Sequence, residues 1–331
     1  MSVPSTAAAA TTTTTALTAL LDHRLLFVTG KGGVGKTTIA AALGQLASSQ
    51  GKRTLLCEVD AKGNLADAFE TGPTAFDERE IAPGLWAMSM DTEASLKEYL
   101  KLQLKVPLLA RLGPLARTFD FVANAAPGVK EILIVGKLCY EVRERHYDLV
   151  VVDAPASGHI VGQLAAPETM KDLVKVGVVR DQTEWMLDIL GDPARTGAVI
   201  VATPEEMPVT ETLELADRLR DETVVDLAAV VVNRVLPELF TRSEERIFRA
   251  LGEPDGSAAL AAAVDGPVEP LLAGAELAVK LRRTRAEHLG ALRSGLPAGT
   301  ELLYMPELFQ RSHGVRATRQ IAEALGAELG F

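Results

Sequence analysis

The chain has 331 residues, 47% of them hydrophobic, which suits one large α/β domain or two small ones around a substantial core. A formal net charge of −10 argues against a surface built to coat nucleic acid. Two cysteines (Cys57 and Cys139) without a C-x-x-C pair, no apolar run of membrane-span length and no basic leader before an apolar core argue against a disulfide scaffold, stable membrane insertion and secretion, so a cytoplasmic protein is expected.

Residues 1–15 are Ala/Thr-rich without apolar periodicity and read as a disordered tail, followed by a turn or two of helix within 16–24. The apolar run 25–28 predicts a buried strand, and the Ala-rich run 39–46 a helix. Between them Gly30, Lys31, Gly32, Gly33, Val34, Gly35, Lys36, Thr37 and Thr38 satisfy the pattern G-x-x-x-x-G-K-[ST] in the strand–loop–helix setting that a phosphate-binding loop requires. Glycines let the backbone wrap a phosphate without Cβ clashes, and the helix start offers N–H groups to the anion. Lys36 is expected to reach the outer phosphates, Thr37 to ligate Mg²⁺ and Thr38 to bond an inner phosphate. A plain glycine-rich turn is the alternative.

Residues 53–59 predict a second, parallel strand that delivers Asp60 to the phosphate end of the sheet. A carboxylate there can orient an attacking water, or it can cap the next helix. A strand follows at 85–90, then Asp91 as N-cap of a helix to about residue 104. The stretch 107–135 is more apolar than one core-facing stripe needs, so it is either an extra helical layer or a hydrophobic surface for a client helix. The apolar run 147–153 ends in Asp153 and reads as a strand buried on both faces, with Asp153 holding Mg²⁺ through water. Gly158 can bring its backbone N–H to the outermost phosphate, while His159 lacks a partner at metal-ligand spacing and reads as structural. Residues 160–195 read as helical, and the seven methionines are scattered through the whole chain.

Further strands are predicted at 198–202 and 227–232, the second ending at Asn233 and Arg234, with a helix to Arg220 between them. Asn233 can cap the strand end. Residues 241–296 read as helical with turns at 252–257 and 266–267, and Lys280, Arg282, Arg283 and Arg285 form a basic cluster that is a solvated face or meets an acidic partner. A last strand at 301–305 and a helix at about 315–325 close the chain.

Several of these segments resemble one family. Lys31 at the start of the loop resembles the second lysine of deviant Walker A ATPases, in which it crosses a dimer interface to the partner's nucleotide; a solvated loop lysine is the alternative. Asp60, Asn64, Leu65, Asp67, Ala68 and Phe69 resemble switch I of arsenite-pump and tail-anchored-protein targeting ATPases, with departures at Ala61 and Gly63. The run from Asp153 to His159 is similar to their switch II, and Ala126 to Glu131 to a Pro-Gly-x-x-Glu helix start. The resemblance implies a P-loop NTPase of α/β class: a mostly parallel, helix-flanked sheet plus an additional helical layer. It implies one domain over 16–331, with a helical subdomain contributed by about 92–146 and 160–195. It further implies ATP/ADP with Mg²⁺, for which Asp60 is a further candidate ligand beside Thr37 and Asp153, and catalytic roles for Asp60, Lys31 and Lys36. Adenine contacts fall to Asn233 and Arg234 and to Pro306, Glu307 and Leu308, where the last strand ends.

No zinc is expected, since the zinc-binding Cys-x-x-Cys of the eukaryotic relatives is missing from 236–248, and no Fe–S cluster. The expected function is a dimeric switch ATPase, as a homodimer or with a homologous subunit, that couples nucleotide state to a hydrophobic protein client. A regulatory switch binding one folded partner is the alternative. An arsenite or anion transport subunit, or a partition-type ATPase, ranks below both.

Overall fold

The computed structural model describes residues 18–60, 63–104, 128–174, 176–264, 267–309 and 314–331. The tail expected at 1–15, Ala61 of switch I, and the part of the apolar stretch up to residue 127 lie outside the described residues.

Among the described residues one sheet is built from β1 (Leu25–Gly30), β2 (Thr54–Glu58), β3 (Arg79–Ala82), β4 (Leu85–Ser89), β5 (Leu149–Ala156), β6 (Thr196–Ala202), β7 (Leu227–Val235) and β8 (Leu302–Pro306). Its order is β3-β4-β2-β5-β1-β6-β7-β8, parallel throughout except for the edge pair β3–β4. The described helices are α1 (Lys36–Ser49), α2 (Asn64–Ala68), α3 (Thr92–Leu104), α4 (Val129–Arg143), α5 (Ser157–Leu173), α6 (Val178–Leu190), α7 (Glu206–Glu222), α8 (Arg242–Gly252), α9 (Pro254–Val264), α10 (Glu269–Gly295) and α11 (Val315–Leu329). The α/β class with a mostly parallel, helix-flanked sheet is as expected.

Continuous apolar runs need cover on both sides, and β1, β2 and β6 are buried at every residue. Side chains alternate between two cores. Leu25, Phe27, Leu55, Val150, Val152 and Ile200 face α4 to α7, while Leu26, Val28, Leu56, Val151, Val199 and Val201 face α1 and α11. β5 lies between β1 and β2, so the strand–helix–strand unit expected at 25–59 forms with another strand inserted into it. In register, Asp153 stands opposite both Val28 and Glu58, which brings the carboxyl ends of β1, β2 and β5 level.

The helical layer is α3 packed on α4, with α5 and α6 beside it. Asp91 caps α3 as expected, accepting from the Ala94 N–H (2.7 Å). Lys137 on α4 is buried, and its ammonium is met by Glu98 (3.0 Å), Glu141 (2.7 Å) and Glu78 (3.7 Å), which fastens α3 and the β3 side of the sheet to α4.

The structure departs from the sequence reading at several elements. The predicted strand 53–59 stops at Glu58, so Val59 and Asp60 belong to the following loop. The helix read through 160–195 breaks at Gly177, whose φ of 96° opens α6. The turn expected at 252–257 shrinks to Glu253, because Pro254 starts α9, a position where its missing N–H costs nothing. The β3 strand has no sequence signal, being four residues long and half exposed. Three of the four basic residues on α10 are tied within the chain: Arg282 to the Leu236 carbonyl, Arg283 to Glu245 (2.6 Å) and Arg285 to the Arg234 carbonyl (3.2 Å).

Candidate nucleotide site

β1 is flanked by β5 and β6, so the loop leaving it sits at the centre of the sheet. The loop turns on glycines at positive φ: Gly30 at 142°, Gly33 at 85° and Gly35 at 97°. A Cβ on Gly35 would stand 2.3 Å from Nδ2 of Asn233. Gly35→Ala is therefore expected to destabilise the chain by about 1–3 kcal/mol and to abolish nucleotide retention, read by thermal melting and by equilibrium dialysis. Gly35 also opens α1 without a side-chain cap, and the first turn closes with the Ile39 N–H on the Gly35 carbonyl (3.0 Å). The opening amides of α1 are thus left to face an anion.

The expected residues gather round this turn. The Thr37 hydroxyl donates to Oδ2 of Asp153 (2.6 Å), joining the start of α1 to the end of β5. Both are hard oxygen donors, so the pair fits Mg²⁺. Lys36 folds back over the loop, its Nζ donating to the Lys31 carbonyl (3.3 Å). Lys31 extends the other way and forms an ion pair with Glu211 on α7. Asp60 lies past the end of β2 and lines a cavity of about 580 Å³ together with Pro155, Gly158 and His159, so the segments that follow β2 and carry the end of β5 face one another.

Among the described residues the start of α2 is held by groups other than Asp60. Gly63, not a side-chain cap, precedes α2, and the N–H groups of Gly63 (3.2 Å) and Asn64 (2.9 Å) donate to Glu58. Glu58 was not singled out in the sequence. It is buried at the tip of β2 and also accepts from Ser89 (3.4 Å), so it holds the switch I turn against the sheet. The available signal was a lone acid inside an apolar strand.

Asn233, buried at the end of β7, donates from Nδ2 to the Val34 carbonyl (2.9 Å) and accepts at Oδ1 from the Arg234 N–H (2.9 Å). Its amide fastens the phosphate loop to β7, and an adenine contact would use the second N–H and the second acceptor lone pair of the same amide. Arg234 takes a left-handed φ of 58°. Pro306 ends β8 opposite Val235, and the Glu307 N–H donates to the Val235 carbonyl (2.9 Å), with Leu308 packed on the α1 side of the core. The residues expected round the adenine therefore share the phosphate end of the sheet, two and three strands from β1.

Burial raises the Asp153 carboxyl to about 6, and Glu58 and Asp60 push in the same direction against the Thr37 bond and Lys36. Because the folded value lies above the ordinary one, the folded chain binds this proton more tightly than the unfolded chain. That contribution is complete below about pH 4 and is lost as pH rises through about 6, a loss of about 3 kcal/mol. In chelator, the melting temperature of wild type is expected to fall by several degrees over this range relative to Asp153→Asn, as followed by calorimetry at a series of pH values.

The sequence model of the family described as anion-transporting ATPase matches residues 23–180 and 173–250, which is more than half of the chain and includes β1, the phosphate loop, both switches and Asn233. The chain belongs to the anion-transporting ATPase family. ATPase BagA of Mycobacterium tuberculosis is 34% identical over 225 residues, spanning 65% of this chain and 66% of that protein. An ATPase ASNA1 homolog of Entamoeba dispar is 25% identical over 253 residues, 64% of this chain and 76% of that one. ATPase get3 of Schizosaccharomyces japonicus is 34% identical over 150 residues, 44% of each.

This anion-transporting ATPase family member also carries a groove next to the cavity lined by Asp60 and Gly158, the two sharing Met170. This apolar groove of about 480 Å³ runs between α3, α4, α5 and α6, lined among others by Leu96, Ile132, Tyr140, Met170, Trp185 and Met186. Among the described residues no helix is long and apolar enough to cross a membrane, and no group of three or more His, Cys, Asp and Glu side chains could hold a metal.

Proposed function

We propose that the chain is a Mg²⁺-dependent ATPase that works as paired copies and couples nucleotide state to the binding of an apolar protein segment. The observation that carries the reading is the convergence of Lys31, Lys36, Thr37, Asp153 and Asp60 on one end of the sheet, beside the loop that turns on Gly30, Gly33 and Gly35. The chain's own groups then divide the work. Loop and helix amides with Lys36 hold the phosphates, Asp60 orients the attacking water, and Thr37 with Asp153 supplies the oxygens for Mg²⁺. When bound, the ion neutralises charge developing on the phosphates. Lys31 completes the partner's site. The family membership supports ATP as the nucleotide.

Coupling to a client is supported by where the groove sits. Met170 lines both the groove and the cavity shared by Asp60 and Gly158, and α5, which begins at switch II, forms a wall of each. A shift of Gly158 on loss of a phosphate is thereby passed along α5 to the groove. Met170, Met186 and Trp185 give an adaptable apolar lining suited to one face of a helix.

Trp185 offers the test. The chain has two tryptophans, so Trp86→Phe leaves Trp185 alone in the groove. Titration with an apolar helical peptide should shift the Trp185 emission in the presence of a non-hydrolysable ATP analogue and less so with ADP. Equal response in both nucleotide states would remove the coupling, and no response in either would remove the client.

A further inference from the structure

One carboxylate joins two parts of the site that are distant in sequence. Glu211, on the second turn of α7, pairs through Oε1 with the Lys31 ammonium, and its Oε2 accepts from the Ser157 hydroxyl (3.5 Å). Ser157 is the first residue of α5 and directly precedes Gly158. The Lys31 and Glu211 side chains are 31% and 29% exposed, so the pair is neither locked in the core nor fully dissolved in water.

We propose that Glu211 is a positioning residue that parks Lys31 within its own subunit until nucleotide draws the lysine across to a partner copy, and that Ser157 ties this parking to switch II. The inference rests on the paired-copy reading given above. Three physical points carry it. A lysine ammonium is a compact charge on a flexible stem, so it exchanges one anion for another without rearranging the backbone. A pair of which nearly a third is open to water is weakened by solvent, so a polyphosphate with several negative charges outcompetes a single carboxylate. The two carboxylate oxygens are divided between Lys31 and Ser157, so a movement of Ser157 with its neighbour Gly158 disturbs the oxygen pair that also holds Lys31.

Glu211→Gln keeps the size and acceptor oxygen of the side chain and removes its charge. Self-association driven by a non-hydrolysable ATP analogue, measured by sedimentation velocity, is expected to tighten by about two- to five-fold. ATP turnover is expected to reach half-maximum at a correspondingly lower protein concentration with its maximum unchanged. Glu211→Asp, which retains the charge, is expected to stay near wild type. In a Lys31→Ala background, Glu211→Gln is expected to change nothing, which separates parking of the lysine from a structural role of α7. Equal association of wild type and Glu211→Gln would overturn the inference, as would an effect that survives in the Lys31→Ala background. A wild-type chain that does not associate with nucleotide would overturn the paired-copy reading and this inference with it, whereas normal association blind to Glu211→Gln overturns this inference alone.

Discussion

Replacing Lys36 by alanine is expected to lower ATP turnover by about a hundred- to a thousand-fold and to leave the fold intact. The magnitude is that of removing one preorganised donor aimed at developing charge. Lys36 begins α1 and curls over the loop onto the Lys31 carbonyl. Its ammonium is thus already held at the mouth of the phosphate turn and needs no large movement to meet a phosphate. The side chain is partly exposed and fills no core position, so its removal should shift the melting temperature little. Steady-state turnover and thermal melting on the same preparation check both halves. Full turnover in Lys36→Ala would place hydrolysis elsewhere.

Asp60→Asn is expected to lower turnover by about a hundred- to ten-thousand-fold, while nucleotide affinity changes only a few-fold. The substitution distinguishes chemistry from architecture, because asparagine caps a helix as well as aspartate does. An architectural aspartate would therefore tolerate the change. Glu58 accepts the Gly63 and Asn64 amides at the start of α2, and Asp60 lines the cavity shared with Gly158. Single-turnover hydrolysis together with nucleotide binding by calorimetry measures the two quantities separately. Slow turnover with lost binding would make Asp60 part of the nucleotide pocket instead.

What was legible in the sequence was local. The phosphate turn, the Asp91 cap and the strand that carries Asp153 each depend on neighbouring residues, so pattern and residue type sufficed for their existence, although that strand runs on to Ala156. The fold class followed from the strand–loop–helix setting of the phosphate turn together with the resemblance to one family. What stayed hidden depends on chain-distant pairing. Glu211 meets Lys31 across 180 positions, and Asn233 meets Val34 across 199. Neither distance leaves a trace in local periodicity. The insertion of β5 between β1 and β2 is likewise a choice among topologies that the same strand pattern permits.

The groove shows the same limit. Its two methionines are 16 positions apart on different helices, so a chain whose methionines look scattered still brings Met170 and Met186 together. Glu58 was missed for a different reason. It sits in an apolar strand as an outward-looking acid would, and only the turn that folds back to it makes burial tolerable, by spending two backbone N–H groups on one carboxylate.

The central claim is that each copy completes the other's site, and mixing two inactive variants tests it most directly. Lys31→Ala and Lys36→Ala are each expected to be nearly inactive alone. If Lys31 acts on the partner's nucleotide, a mixed pair holds one site with its own Lys36 and the partner's Lys31 intact. An equimolar mixture should then recover about a quarter of wild-type turnover, since about half of the pairs are mixed and half of their sites are whole. A mixture that stays as inactive as its two components would contradict the account.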